Sequence, residues 1–315
     1  LSQQPALAST PADLAVAPVS STAATLSWTN PGGATFFRIE RATDATFQTN
    51  LTSTFVEGNV SSWTDTTLAA GTSYYYRISA GNGGGDSAAS EAVAFTTPAN
   101  VAIGQAAVAS STYTTYTADK AVDGSTQTYW RSVYPGAAGW NNGQQTFTVD
   151  LGQDYDIYQV KLNWYSAYAA AYQVQVANAA DGPWVDVPTA FETANASAGW
   201  KDYAGLDVTA RYLRVSMTSP GTTSGYGLFE VQVFGLVAAQ LPAAPTGLTA
   251  TAVSSTRVDL SWSDNSTNET GFEIDRATDA DFTQDLVTFT VAADATDYSD
   301  TSVVAGTTYF FRVRS

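Results

Sequence analysis

FRIERATDATF (37–47) is the stretch whose reading decides the fold. In Phe37-Arg38-Ile39-Glu40 apolar and charged side chains alternate. A period of two sends successive side chains to opposite faces of an extended strand, one toward a core and one toward water. Tyr76-Arg77-Ile78-Ser79 alternates in the same way, and both runs are bounded by Gly, Pro and Asn clusters. Short alternating runs with such punctuation predict antiparallel strands of a sandwich.

The stretch recurs as FEIDRATDADF (272–282). TLSW (25–28) likewise answers to DLSW (259–262), and AGTSYYYRIS (70–79) to AGTTYFFRVRS (305–315). Arg41 and Arg276 are 235 residues apart, as are Tyr74 and Tyr309, so the register holds apart from a slip of one residue near Trp262. This is a duplicated small domain. Its marker residues are Trp28 and Trp262 as core aromatics of the second strand, and Tyr74 and Tyr309 in the Gly-Thr-x-Tyr setting of a tyrosine corner. With these residues each copy resembles a fibronectin type III domain.

Composition limits the chemistry. The 315 residues are 44% hydrophobic and 12% aromatic, enough for two or three domains with real cores. Thirteen Lys and Arg against 29 Asp and Glu give a formal charge of −16, which repels nucleic-acid phosphates and anionic lipid. Nucleic acid is therefore not an expected partner, and no apolar run is long enough to predict a membrane span. The chain has no His and no Cys. Thiol nucleophiles, imidazole acid–base chemistry, Ser-His-Asp triads and the usual zinc sites are thereby excluded. A carboxylate mechanism needs two acids facing each other across a cleft. No such pair is evident, and no enzymatic activity is expected. The chain opens at Leu1 without Met, so an upstream segment is expected to have been removed.

Between the two copies, KAVDGSTQTYW (120–130), FTVDLG (147–152), NWYSAYAAAYQVQV (163–176), ARYLRVSM (210–217) and YGLFEVQVFG (226–235) follow in order. Together they resemble the discoidin, or F5/8 type C, domain in its bacterial carbohydrate-binding form. The expected architecture is all-β, with two immunoglobulin-like fibronectin type III sandwiches flanking a discoidin-type jelly-roll sandwich. Expected boundaries are an N-terminal extension over 1–10, a fibronectin type III-like domain over 11–98, the discoidin-like module over 99–236, a linker over 237–245 and a second fibronectin type III-like domain over 246–315. Junctions rich in Pro and small residues suggest three beads in a row. The second copy stops at Ser315 before its last strand. A continuing chain is expected there; otherwise the N-terminal LSQQPALAST of a neighbour is a candidate to fill the edge by strand addition, giving homotypic assembly.

The discoidin resemblance implies a structural Ca²⁺. Its expected ligands are the carbonyl of Lys120, the side chain of Asp123, oxygens of Ser125 and Thr128, the carbonyl of Phe229 and the carboxylate of Glu230. Hard oxygen donors of this kind suit Ca²⁺ and would staple an early turn to the last strand. It also implies a glycan face on loops at one end, where aromatic rings meet the apolar patches of sugars and a few polar groups orient them. The candidates are Tyr113, Tyr129, Arg131, Tyr134, Trp140, Tyr165 and Tyr226, with Trp140 in the loop SVYPGAAGWNNGQQ (132–145) the leading platform. Trp130, Trp164 and Trp184 are expected to pack. Relatives that bind amino sugars carry Glu and Arg where this chain has Tyr113, Tyr129 and Tyr165, which points to a neutral polysaccharide or oligosaccharide.

The implied role is non-catalytic: the glycan-binding and spacer region of a larger secreted bacterial protein, targeting a polysaccharide-degrading enzyme. The alternative is an adhesin, surface-layer or extracellular filament protein assembled through its sandwiches at the cell surface.

Overall fold

The computed structural model describes residues 6–239 and 241–315. Apart from one 3-10 turn, Ala118–Ala121, every regular element among them is a β-strand. The described chain forms two compact units, one running to Ala238 and one from Ala239. No described helix is long and apolar enough to cross a membrane.

In the first sandwich, a sheet of Ala12–Ser20, Ala23–Thr29 and Ser62–Asp65 faces a sheet of Phe36–Ala42, Thr52–Glu57, Ser73–Asn82, Gly85–Asp86 and Val93–Thr96. Alternation in the sequence becomes alternation in space. Phe37 and Ile39 enter a core with Leu26, Trp28, Tyr76 and Ile78, while Arg77 on the other face donates to Glu40 at 2.6 Å. The tyrosine corner forms, with the Ala69 N–H donating to the Tyr74 hydroxyl at 2.9 Å. Residues 6–10 lie on this same sandwich: Ala8 is buried in its core and Ala6 accepts from the Asn82 amide at 2.9 Å. Of the proposed strand donor, residues 1–5 lie outside the described residues.

The C-terminal unit repeats the plan with Thr246–Ser254, Arg257–Ser263 and Asp297–Asp300 in one sheet, and Val287–Ala292, Gly271–Ala277 and Phe310–Arg314 in the other. Leu260, Trp262, Phe272 and Ile274 form its core, and Val304 N–H donates to the Tyr309 hydroxyl at 3.2 Å. A buried ion pair is also duplicated: Arg41 meets Asp65 in the first copy and Arg276 meets Asp300 in the second.

The central domain is one eight-stranded sheet folded on itself. Its main path is Trp130–Arg131, Gly227–Val237, Gln145–Trp164, Gly199–Pro220, Ala169–Ala177 and Val185–Glu192. Ala106–Ala109 joins Gln145–Trp164, and Ala99–Asn100 joins Gly227–Val237. The two longest strands, of 20 and 22 residues, change register at Asp150/Tyr155 and Ile157/Gln159. Such bulges bend a strand so that its two halves serve two layers. Residues 147–150 pair with Ala106–Ala109, whereas 155–164 pair with Gly227–Val237. Trp130, Phe147, Ile157, Trp164, Leu213 and Val231 fill the space between.

The first sandwich and the central domain are not separate beads. At 97–100 the chain passes directly from one to the other, and both belong to one unit. Their contact is polar and sealed. Gln159, 3% exposed, accepts from the backbone N–H and hydroxyl of Ser21 at 3.0 and 2.7 Å, and donates to Asp202 at 2.6 Å. Ser21 is 2% exposed, so water does not satisfy these groups. The chain enters the central domain at Ala99–Asn100, which runs antiparallel to the exit segment with Asn100 opposite Phe234 and Ala99 opposite Gly235.

Candidate functional site

At the other end of the exit strand, Trp130 pairs with Leu228 and Arg131 with Gly227. This pairing brings the turn at 113–131 against the start of the strand and assembles a ladder of phenol rings. Tyr165 stacks on Tyr129 at 4.2 Å and 6°, Tyr129 on Tyr116 at 4.6 Å and 19°, and Tyr116 lies parallel to Tyr113 at 6.4 Å and 8°. Tyr134 meets Tyr113 edge-on at 5.8 Å. Phe229 sets its ring edge-on to both Tyr129 and Tyr165 at 5.6 and 5.3 Å. Arg131 places its guanidinium 4.9 Å over Tyr113 and donates to the Ser224 carbonyl.

Stacking has a chemical consequence. Rings that cover one another's faces offer ligands their edges and hydroxyls, not flat platforms. Hydrogen bonding with Tyr116, then burial and the neighbouring Tyr165, push the Tyr129 phenol well above its ordinary range, so it remains a neutral donor and acceptor. Beside the ladder lies a cavity of about 220 Å³ lined by Thr115, Tyr116, Lys120, Gln127, Thr128 and Tyr129.

Two expected glycan contacts are relocated. Tyr226 is fully buried, and its hydroxyl donates to the Gly143 carbonyl, so it braces the 132–145 loop from inside and cannot meet a ligand. Trp140 is only half exposed. One of its faces stacks on Tyr226 at 5.6 Å, and it packs against the central core, so it is not a free-standing platform. Tyr134, 43% exposed, is the open ring of that loop. Tyr116 and the Phe229 ring belong to the cluster although sequence reasoning passed them over. The signal available was the Tyr-Thr-Thr-Tyr spacing of 113–116, with Thr114 in the left-handed region at φ 54° turning the chain between the two rings. Trp130 and Trp164 are buried as expected, and Trp184 lies 4.0 Å under the Arg214 guanidinium.

Of the expected cation ligands, Lys120 and Thr128 line the cavity beside the ladder. Lys120 lies in the 3-10 turn, and Gly124 at φ +80° allows the sharp turn after Asp123. Asp123 accepts from the Ser125 N–H at 2.9 Å and from the Thr128 hydroxyl at 2.7 Å. Across 106 residues of sequence, Gly124 N–H donates to Glu230 Oε1 at 3.2 Å. Glu230 is 1% exposed and its Oε2 has no hydrogen-bond partner. Burial, with the charge of Asp123 adding to it, raises the Glu230 carboxyl to about 7. A buried oxygen without a donor, beside a second carboxylate and hydroxyl oxygens, is the environment a hard cation satisfies. The residues fit Ca²⁺.

The fibronectin type III domain model matches residues 9–96 and 243–315, and the F5/8 type C domain model matches residues 106–231. Among solved structures, chitosan-binding module 1 from the chitosanase/glucanase of Paenibacillus sp. IK-5 is 35% identical over 43% of this chain and 98% of its own, with a TM-score of 0.39. Chitosan-binding module 2 of the same enzyme, in complex with chitotriose, is 34% identical over 43% and 100%, with a TM-score of 0.38. The family 32 carbohydrate-binding module from C. perfringens NanJ, in complex with galactose, is 18% identical over 41% and 93%, with a TM-score of 0.36. None of the curated proteins matches the chain. The chain belongs to the fibronectin type III family, with two such domains flanking an F5/8 type C domain.

Proposed function

We propose that the central domain binds a neutral polysaccharide and does no chemistry on it. The observation that carries this reading is the tyrosine ladder with its adjoining shallow cavity: a row of hydroxyls and ring edges suited to the alternating hydroxyl and C–H surface of a sugar chain. Neutrality of the ligand is supported by the lining: besides the phenols its one ionisable residue is Lys120, a cation paired with Asp119 at 3.5 Å, and no carboxylate lines the cavity itself to hold the ammonium of a glucosamine unit. A shallow site of this kind is weak alone, which suits a module that targets or tethers a larger secreted protein, such as a polysaccharide-degrading enzyme, through effective concentration.

Ca²⁺ belongs to this reading as a structural ion. Asp123, Ser125, Thr128 and Glu230, with the carbonyls of Lys120 and Phe229, would hold it and so fix the turn that walls the cavity. Screening the full chain on a glycan array, with Tyr134→Ala as the contact variant and chitotriose as a competitor, tests the proposal. Retention on neutral glucans or galactans, weakened by Tyr134→Ala at unchanged melting temperature, is the expected result. Preferential binding of chitotriose would overturn ligand neutrality, and absence of binding to any glycan would overturn the function. Chelation is expected to lower the melting temperature, because an ion bound only by the native state stabilises it.

A further inference from the structure

The two fibronectin type III copies differ at one loop cluster, and the difference is one of charge. In the C-terminal copy Asp264, Glu269 and Asp294 each bring a carboxylate oxygen within 4.8 Å of the others. Asp264 stands two residues after Trp262, Glu269 two before Gly271, and Asp294 two after Ala292, the strand partner of Gly271. The same places in the first copy, two after Trp28, two before Phe36 and two after its partner Glu57, hold Asn30, Ala34 and Asn59. There the loops are tied by a neutral amide, Asn30 Nδ2 donating to the carbonyls of Gly58 and Val60 at 2.9 and 3.2 Å.

Three carboxylates so close repel unless a cation joins them, and the described residues of the C-terminal unit supply none. Residues 241–315 contain four arginines and no lysine. Arg257 pairs with Asp259, Arg276 with Asp300, Arg312 with Asp275, and Arg314 with Glu273 and Asp275. Glu269 gives the second, independent sign. It is 8% exposed; its Oε1 accepts from the Asp294 N–H at 3.1 Å, while its Oε2 is buried with no hydrogen-bond partner. An ionised oxygen in that position lacks both water and a donor.

We infer that Asp264, Glu269 and Asp294 form a divalent-cation site in the C-terminal fibronectin type III domain, with Ca²⁺ as its ion. Oxygen ligands sit about 2.3–2.6 Å from Ca²⁺, so oxygens on opposite sides of one ion lie about 5 Å apart, which accommodates the span of the cluster. The donors are all hard oxygens on two loops, Asp264 and Glu269 on the one before Gly271–Ala277 and Asp294 on the one after Val287–Ala292, an irregular arrangement that Ca²⁺ accepts and Mg²⁺ does not. The bound ion would close the end of the sandwich that the first copy closes with an amide. This site is independent of the one at Glu230.

The test is equilibrium dialysis of the chelator-stripped full chain against Ca²⁺. Asp264→Asn/Glu269→Ala/Asp294→Asn gives the second copy the residues the first already folds with. It is expected to bind one ion fewer than the native chain, while Glu230→Gln leaves that ion in place. Equal stoichiometry in the native and triple-variant chains overturns the inference, as does loss of all binding in Glu230→Gln. If the triple variant does not fold, Asp294→Asn alone decides. Asp294 is exposed and has φ +61°, a conformation Asn tolerates, so the backbone is undisturbed. Its Ca²⁺ affinity at this site should fall about tenfold with the loss of one ligand charge, and an unchanged affinity rejects the site.

Discussion

Tyr129 is the rung at which the ladder can be tested most sharply, because it touches three rings. It stacks on Tyr165 and Tyr116 and receives the edge of Phe229. Aromatic pairs contribute about 0.5–1.5 kcal/mol each beyond their buried area, so Tyr129→Ala should cost roughly 1.5–4.5 kcal/mol of stability. At about 2–4 °C per kcal/mol for a unit of this size, the melting transition of the first unit should fall by roughly 3–18 °C. Tyr129→Phe keeps all three ring contacts and removes only the hydroxyl. If that hydroxyl meets sugar, one net hydrogen bond of about 0.5–1.5 kcal/mol is lost from binding, a two- to tenfold weakening. Scanning calorimetry on both variants, paired with isothermal titration against the best glycan from the array, separates the two effects. Native binding by Tyr129→Phe would show that the hydroxyl row does not contact the ligand. An unmoved melting curve for Tyr129→Ala would show that stacking does not hold the ladder.

Gln159→Ala should uncouple the first sandwich from the central domain. It leaves the Ser21 N–H buried without an acceptor, a cost of about 1–3 kcal/mol, and calorimetry should show the transition of residues 6–238 broadening or splitting, with a single unchanged transition as the contrary result. Acid should weaken both fibronectin type III domains. Burial alone would raise Asp65 and Asp300, but hydrogen bonds from Thr67 and Ser302 and the paired Arg41 and Arg276 outweigh it and hold both carboxyls below their ordinary 3.8. A depressed carboxyl stabilises the fold fully above its ordinary value and ceases to do so as pH falls through the lowered one. Urea midpoints should therefore drop below about pH 3.8, and Asp65→Asn should flatten that dependence for the first sandwich. An unchanged acid profile in Asp65→Asn would discount the ion pair.

The architecture was legible because it rests on local periodicity and on duplication. The alternation at Phe37–Glu40, the paired Trp28 and Trp262, and the corners at Tyr74 and Tyr309 all reappear in space as the spacing requires. Glu230 came from the discoidin resemblance and not from periodicity: the ladder shifts register between Asn163, opposite Glu230, and Trp164, opposite Leu228, so alternation along the strand could not place its carboxylate. What could not be read depends on contacts between distant segments. Tyr226 is drawn inward by the Gly143 carbonyl 83 residues before it, and Trp140 is half covered by that same ring. Composition marked both as aromatic and loop-adjacent, but which face of a ring remains free is decided by the partner that reaches it. The separation at 97–100 was inferred from Pro and small residues, yet Ser21 and Gln159, 138 residues apart, seal the two domains together.

The antiparallel pairing of Asn100 with Phe234 and of Ala99 with Gly235 governs how the central domain carries load. Chain entry and exit sit side by side at one end of the strand Gly227–Val237, while the phenol rungs gather at the other, eight residues or about 26 Å away. Tension drawn along the polypeptide peels this small two-strand seam first and bypasses the distant grip. Under the proposed glycan binding, tension between ligand and backbone would instead run lengthwise down the strand, where many hydrogen bonds share it in shear. Load applied at the two chain ends and load applied at the phenol rungs thus meet the same strand in different geometries, peeling in the one case and shear in the other.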